Sequence, residues 1–105
     1  MTTRSVTTRT RVHDNAELSR YDLVVGDELA GYLAYRKADD HVLVTSTVVR
    51  PEHRGHGLAS ELVQHSLDDL RRQGLALRTT CWYVKEWLNS HPDYQDLELG
   101  RSRVS

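Results

Sequence analysis

One change of hydrophobic period constrains this chain more than any other feature. Up to Val49 the apolar residues alternate with a period of two. From Ala59 onward they fall at Ala59, Leu62, Val63, Ser66, Leu67 and Leu70, the spacing of one helix face. The switch occurs across a short loop, Arg54-Gly55-His56-Gly57-Leu58-Ala59. Whatever fold forms must therefore carry a strand, a glycine loop and an amphipathic helix in direct succession.

The elements on either side follow from the same reasoning. Tyr21, Leu23 and Val25 alternate with Arg20, Asp22 and Val24, and Gly26-Asp27 supplies a hairpin turn. A second strand is predicted over 29–36, and a turn at Ala38-Asp39-Asp40. A third strand over 41–49 is dense in β-branched residues. The connections are too short for crossovers, so these three strands form an antiparallel meander. Gly74 suits the helix C-terminus. A strand over 75–80 follows, and strand–helix–strand in series implies a right-handed parallel crossover. A second helix is predicted over 82–90, with Trp82, Leu88 and Val84 or Trp87 turned to the core, ending at His91-Pro92. The fold class is α+β: a three-strand antiparallel meander, a parallel βαβ step and a C-terminal helix.

A chain of 105 residues has room for one domain. We expect a flexible arm at 1–11, or at most an edge strand there, with order beginning near Leu18. The domain is set at 12–97 with a C-terminal tail at 98–105, and the stretch 93–105 is polar and expected to be only partly ordered. No apolar run is long enough to span a membrane, and Met1-Thr2-Thr3-Arg4 is followed by no secretory signal. Cys81 is the sole cysteine, which excludes an internal disulfide and a cysteine zinc cluster. A reduced, cytoplasmic protein is the expectation. The net charge of -1 argues against a general nucleic-acid binder, although Arg4, Arg9 and Arg11 leave open an acidic partner for the arm.

The glycine loop carries the chemistry. A helix N-terminus presents N–H groups without intrahelical partners, and the helix dipole adds partial positive charge. Glycines let that backbone approach a bulky anion closely, so a phosphate or pyrophosphate fits. Gly55-x-Gly57-x-x-Ser60 lacks the last glycine of a dinucleotide fingerprint, and no Gly-Lys-Ser or Gly-Lys-Thr follows. His53 and His56 have no third ligand near them in sequence, so no metal site is assigned.

Arg54-x-x-Gly57-x-Ala59 resembles the Arg/Gln-x-x-Gly-x-Gly/Ala signature of the GNAT acetyltransferase superfamily. Cys81-Trp82-Tyr83-Val84, followed by His91-Pro92-Asp93-Tyr94-Gln95-Asp96-Leu97, is similar to the small single-domain YjdJ-like group. The resemblance covers roughly residues 18–97. It implies a minimal GNAT fold that binds acetyl-CoA as acetyl donor, without a metal. The pantetheine arm would bond to backbone near Val48 and Val49. The pyrophosphate would lie on Gly55, His56, Gly57, Leu58 and Ala59, with Arg54 and Ser60 alongside. The acceptor would be a small amine, or a lysine or N-terminal amine of a protein.

The resemblance also places Cys81 beside the thioester, where it could act as nucleophile or acetyl acceptor. Read from composition alone, the same thiol is a buried core cysteine. Where YjdJ-like members carry histidine and glutamate on the strand before the loop, this chain has Ser46 and Val48. Thr47 remains to orient a water or the thioester. Leu88 occupies the spacing at which larger GNAT enzymes place a tyrosine, so Tyr83 becomes the proton-donor candidate and Tyr94 a packing residue. The departures motivate an alternative, a module that binds acetyl-CoA or CoA with little or no turnover.

Overall fold

The computed structural model describes residues 9–100. Five strands form one mixed sheet in the order β1-β2-β3-β4-β5: β1 (Thr10–Asn15), β2 (Arg20–Val25), β3 (Glu28–Lys37), β4 (His41–Val49) and β5 (Ala76–Thr79). Helix α1 (Leu58–Gln73) joins β4 to β5, and α2 (Trp82–Ser90) follows β5. Single 3-10 segments occupy Pro51–His53 and Pro92–Leu97. The first four strands are antiparallel and the last pair is parallel, so the α+β architecture with its parallel step is as expected.

The meander has one strand more than the hydrophobic pattern showed. Pairing begins at Thr10 opposite Val25, well before Leu18. Sequence alternation missed β1 because Thr10–Asn15 holds one apolar residue, Val12, which pairs with Leu23 and packs against the core. An edge strand needs only that one anchored face. The rest of the proposed arm, 1–8, lies outside the described residues.

The helix α1 buries Leu62, Val63, Ser66, Leu67 and Leu70, the face its period predicted. The Ser66 hydroxyl is satisfied by donating to the Leu62 carbonyl at 2.7 Å. Gly74, at φ 73°, ends the helix, and the N–H of Leu75 reaches back to the Leu70 carbonyl at 2.9 Å. That is the hydrogen-bond pattern of a Schellman stop, which favours glycine.

In α2 the buried residues are Val84, Trp87 and Leu88, whereas Trp82 is 73% exposed. The expectation for Trp82 is corrected: the inward stripe starts at Val84, and the first helical residue lies off it. Trp87 donates through Nε1 to Ser60 Oγ at 2.8 Å, which binds α2 to the first turn of α1. Both helices thus share one face of the sheet.

The segment after α2, expected from its polarity to be only partly ordered, makes specific contacts throughout its described residues. Leu97 is buried, Tyr94 donates to Asp68 at 2.8 Å, and Arg71 pairs with Asp96 at 3.0 Å. Glu98 bridges Leu77, and the Leu99 N–H bonds the Leu77 carbonyl at 2.7 Å. The polar side chains face specific partners on α1, and the backbone covers the outer edge of β5.

Two buried tyrosines tie the sheet to carboxylates. Tyr21 donates to Asp69 at 2.6 Å and Tyr35 donates to Asp14, with their rings 5.4 Å apart. Burial first, and then the bond to a carboxylate, pushes both phenol pKa values well up. The folded state therefore favours the neutral phenols. That stability is complete below the unfolded phenol pKa of about 10 and is lost as pH rises toward the folded values. Thermal unfolding followed from neutral pH to above about pH 10 should show a steep alkaline fall in Tm that a Tyr21→Phe, Tyr35→Phe double variant lacks.

Candidate active site

The site grows from an irregularity in β4. Tyr35 pairs with Val44 and Ala34 with Ser46, which leaves Thr45 as an extra residue, a β-bulge. On the other side, β5 pairs only with residues 41–44, and the bond from the Thr80 N–H to the Val44 carbonyl at 3.1 Å is the last rung. Residues 45–49 consequently have no strand along that edge. The Arg50 N–H donates to the Ala30 carbonyl at 2.7 Å. By antiparallel alternation, residues 46 and 48 then turn their polar groups to β3, and Thr47 and Val49 turn theirs to the open edge. The Val49 carbonyl there accepts from Arg54 Nε at 3.0 Å.

Gly31 permits this geometry. A Cβ built on it would lie 2.2 Å from the Val48 carbonyl oxygen and 3.0 Å from the Val49 Cα. No side chain fits there without moving β4. A glycine within a strand pattern is a signal of close backbone approach, and it was available in the sequence.

Beyond β4, the 3-10 turn leads into the glycine loop. Gly55 and Gly57 take left-handed φ of 85° and 73°, and a Cβ at either would meet nothing within 4 Å. Helix α1 begins with no side-chain cap. Its first N–H groups therefore face the space in front of the helix, with the positive end of the dipole behind them. A cavity of about 120 Å³ opens there, lined by Val49, His53, Arg54, Gly55, Gly57, Leu58, Ala59, Ser60 and Tyr83. His53 is held at 2.9 Å from Glu28 at the start of β3, a clamp on the loop that sequence reasoning did not find. His56 is exposed and Val48 half-buried, both outside this lining.

Tyr83 is half-buried beside the helix start. Burial raises its phenol pKa, and a hydrogen bond with Ser60 offsets part of that rise. The hydroxyl thus carries its proton throughout the neutral range. Cys81 and Thr47 meet at the open end of the β4–β5 pair, with Sγ and Oγ1 3.5 Å apart. The Cys81 N–H donates to Thr79 Oγ1 at 3.0 Å, and that hydroxyl donates to the Val44 carbonyl at 3.0 Å. Thr47 is the thiol's one hydrogen-bond partner among the described residues. Leu88 is fully buried, and Tyr94 packs edge-on against Trp87 at 5.0 Å, away from the cavity lining. Among the described residues no group of three or more His, Cys, Asp or Glu is placed to hold a metal ion, and no helix is long and apolar enough to cross a membrane.

A parallel strand pair that parts after a bulge, with an uncapped glycine-led helix beside the gap, defines an α+β domain whose helix start opens next to the unpaired edge of β4. Residues 20–97 match the sequence profile of the GCN5-related N-acetyl-transferase family, and the chain belongs to that family. The protein NATD1 of chicken (Gallus gallus) is 35% identical over 52 residues, which are 50% of this chain and 47% of that protein. Human NATD1 (Homo sapiens) matches at 35% over 52 residues as well, 46% of its length. The match thus spans about half the length of these curated relatives. The fold is shared with a GCN5-like protein from Staphylococcus aureus solved by NMR: TM-score 0.66, 20% identity, 94% of this chain and 95% of that one. It is shared also with ribosomal-protein-alanine N-acetyltransferase from Brucella melitensis: TM-score 0.54, 17% identity, 82% and 66% covered.

Proposed function

We propose that this chain is an acetyl-CoA-dependent N-acetyltransferase of the small YjdJ-like type, acting in the cytoplasm on an amine of a small molecule or a protein. The observation that carries the reading is the uncapped start of α1, where two left-handed glycines open onto a cavity. A pyrophosphate suits that cradle: the space is empty where side chains would stand, and the nearby donors are backbone N–H groups. Gly55, His56, Gly57, Leu58 and Ala59 would hold it through the backbone, with Arg54 and Ser60 at its side. The open-edge groups of Thr47 and Val49 would bond the pantetheine arm, alongside Val48. Acetyl-CoA supplies an activated thioester: the amine nitrogen gains the acetyl carbon, the C–S bond breaks and the amine proton ends on the CoA sulfur.

The chain's own residues then have limited tasks. The open β4 edge positions the donor. Tyr83 holds a proton at its hydroxyl. Thr47 and Cys81 line the gap, and the thiol lacks a nearby base that would activate it. Cys81 accordingly serves as packing and orientation, and the transfer is direct. The absence of the YjdJ-like histidine and glutamate at Ser46 and Val48 fits an acceptor amine that arrives already deprotonated.

Calorimetric titration with acetyl-CoA and CoA, followed by an amine panel, tests the assignment. Saturable binding with turnover is expected. Binding without turnover on any amine would replace the enzyme by a non-catalytic acetyl-CoA module, and no binding by folded protein would overturn both. Tyr83→Phe should lower kcat about a hundredfold, at the lower end of acid–base contributions, with a much smaller effect on the acetyl-CoA Kd. Intact mass after incubation with acetyl-CoA should show no acetyl adduct, and Cys81→Ala should keep turnover within about tenfold.

A further inference from the structure

Both helices pack on one face of the sheet, and no described helix packs on the other, where Gly100 approaches the Arg78 guanidinium. The register shows what that bare face carries. Arg20, Ala34 and Ser46 form one row across β2, β3 and β4. Arg36, Leu43 and Arg78 form another across β3, β4 and β5. Their neighbours along each strand, Tyr21, Leu33, Tyr35, Val44 and Leu77, are core residues, so these two rows point away from the helices. Ala34, Leu43 and Ser46 are half-buried, whereas Arg36 and Arg78 are exposed. β1 adds Arg11, paired with Val24, to the same face.

The charge here is unbalanced. Asp22 is the one carboxylate the strands turn to this side, and it is buried and engaged. It accepts from Arg20 at 2.6 Å and Asn15 at 2.9 Å, with His13 at 3.7 Å. Asp40, in the turn near Arg78, is bound to His41 at 2.9 Å, and Asp39 beside it is exposed. Arg11, Arg36 and Arg78 make no ion pair with any described residue. In the register, Ala34, Leu43 and Ser46 therefore lie beside Arg20, Arg36 and Arg78. Ser46 stands directly before Thr47, where β4 has lost β5 and the gap begins.

We propose that this bare face seats the acceptor, and that the acceptor is a carboxylate-rich polypeptide segment whose free amine reaches the gap beyond Val44. The proposal rests on the acetyltransferase reading above. Charge complementarity selects the occupant: the arginines attract carboxylates, and the small side chains between them let a backbone lie close. A second copy of the chain laid face to face would oppose like charges. A nucleic acid would meet a molecule of net charge -1, and on this face the Tyr32 ring is already covered by Arg20 at 4.8 Å.

Fluorescence anisotropy on the full chain tests this with labelled peptides that share a free N-terminal amine and differ only in being Glu-rich, neutral or Lys-rich, and with a single-stranded oligonucleotide. The Glu-rich peptide should bind at least about tenfold tighter than the neutral one, with strong salt dependence, and should be the best acetylated. An Arg36→Glu, Arg78→Glu double variant should lose that preference while binding acetyl-CoA with unchanged Kd. Should charge reversal unfold the protein, the Arg36→Gln, Arg78→Gln pair carries the same expectation at reduced size. Equal binding of Glu-rich and neutral peptides, an unaffected double variant, or oligonucleotide binding as tight as the peptide would each overturn the proposal. Loss of acetyl-CoA binding in the wild-type protein would instead sink the functional reading, and is measured separately by calorimetry.

Discussion

A Gly57→Glu protein folds as the wild type does and binds acetyl-CoA about a thousandfold more weakly. Folding survives because a Cβ at Gly57 meets nothing within 4 Å. The left-handed φ of 73° adds strain of roughly 1–2 kcal/mol, a cost a small domain tolerates. Binding does not survive, for two additive reasons. The helix-end field that favours an anion, worth up to ~2 kcal/mol, is countered by the new carboxylate. That carboxylate also repels the pyrophosphate, by several kcal/mol at an effective dielectric near 20. A net loss of about 4 kcal/mol corresponds to three orders of magnitude in Kd. Gly57→Ala separates the effects: it introduces the strain without the charge, so its affinity should fall by about tenfold at most. Isothermal titration with circular dichroism on both variants decides the point, and undiminished binding by Gly57→Glu would remove the loop from the site.

The parts of this fold that were legible in the sequence are those where periodicity and a stop signal coincide. Strand β4 runs His41–Val49 and α2 runs Trp82–Ser90, the bounds that residue pattern and proline stops predict. The buried face of α1 and its end at Gly74 were equally plain. What stayed hidden is what depends on a partner in space. β1 has no pattern of its own and is visible only through its register with β2. The extra residue at Thr45 is a property of pairing between β3 and β4, and nothing in a run of β-branched residues marks which of them is unpaired. The same holds for the clamp from His53 to Glu28, 25 residues apart. The glycine loop was legible because its chemistry is local: a turn, a helix start and two glycines adjoin in the chain. The gap beside Cys81 is made by where β5 stops, so no local pattern marks it and only the family resemblance pointed to it.

That dependence on pairing makes Gly31 a sensitive position outside the loop. Gly31→Ala should lower stability by about 3 kcal/mol, a fall in Tm on the order of 15 °C for a domain this size. The new methyl would sit 2.2 Å from the Val48 carbonyl oxygen, and its neighbours are backbone atoms of β4 that cannot rotate aside. β4 must move instead, and the residues that move are Val48 and Val49. Val49 carries the carbonyl that holds Arg54, and with Thr47 it forms the open edge proposed to bond the donor. The folded fraction of Gly31→Ala should accordingly bind acetyl-CoA at least about tenfold more weakly, an effect measured below its Tm so that unfolding does not contribute. A control at Gly74→Ala strains a left-handed position without touching β4, and should lower Tm while leaving the Kd unchanged. If Gly31→Ala lost stability and kept full affinity, the bulged edge of β4 would be a structural feature of the sheet and the donor would have to lie elsewhere.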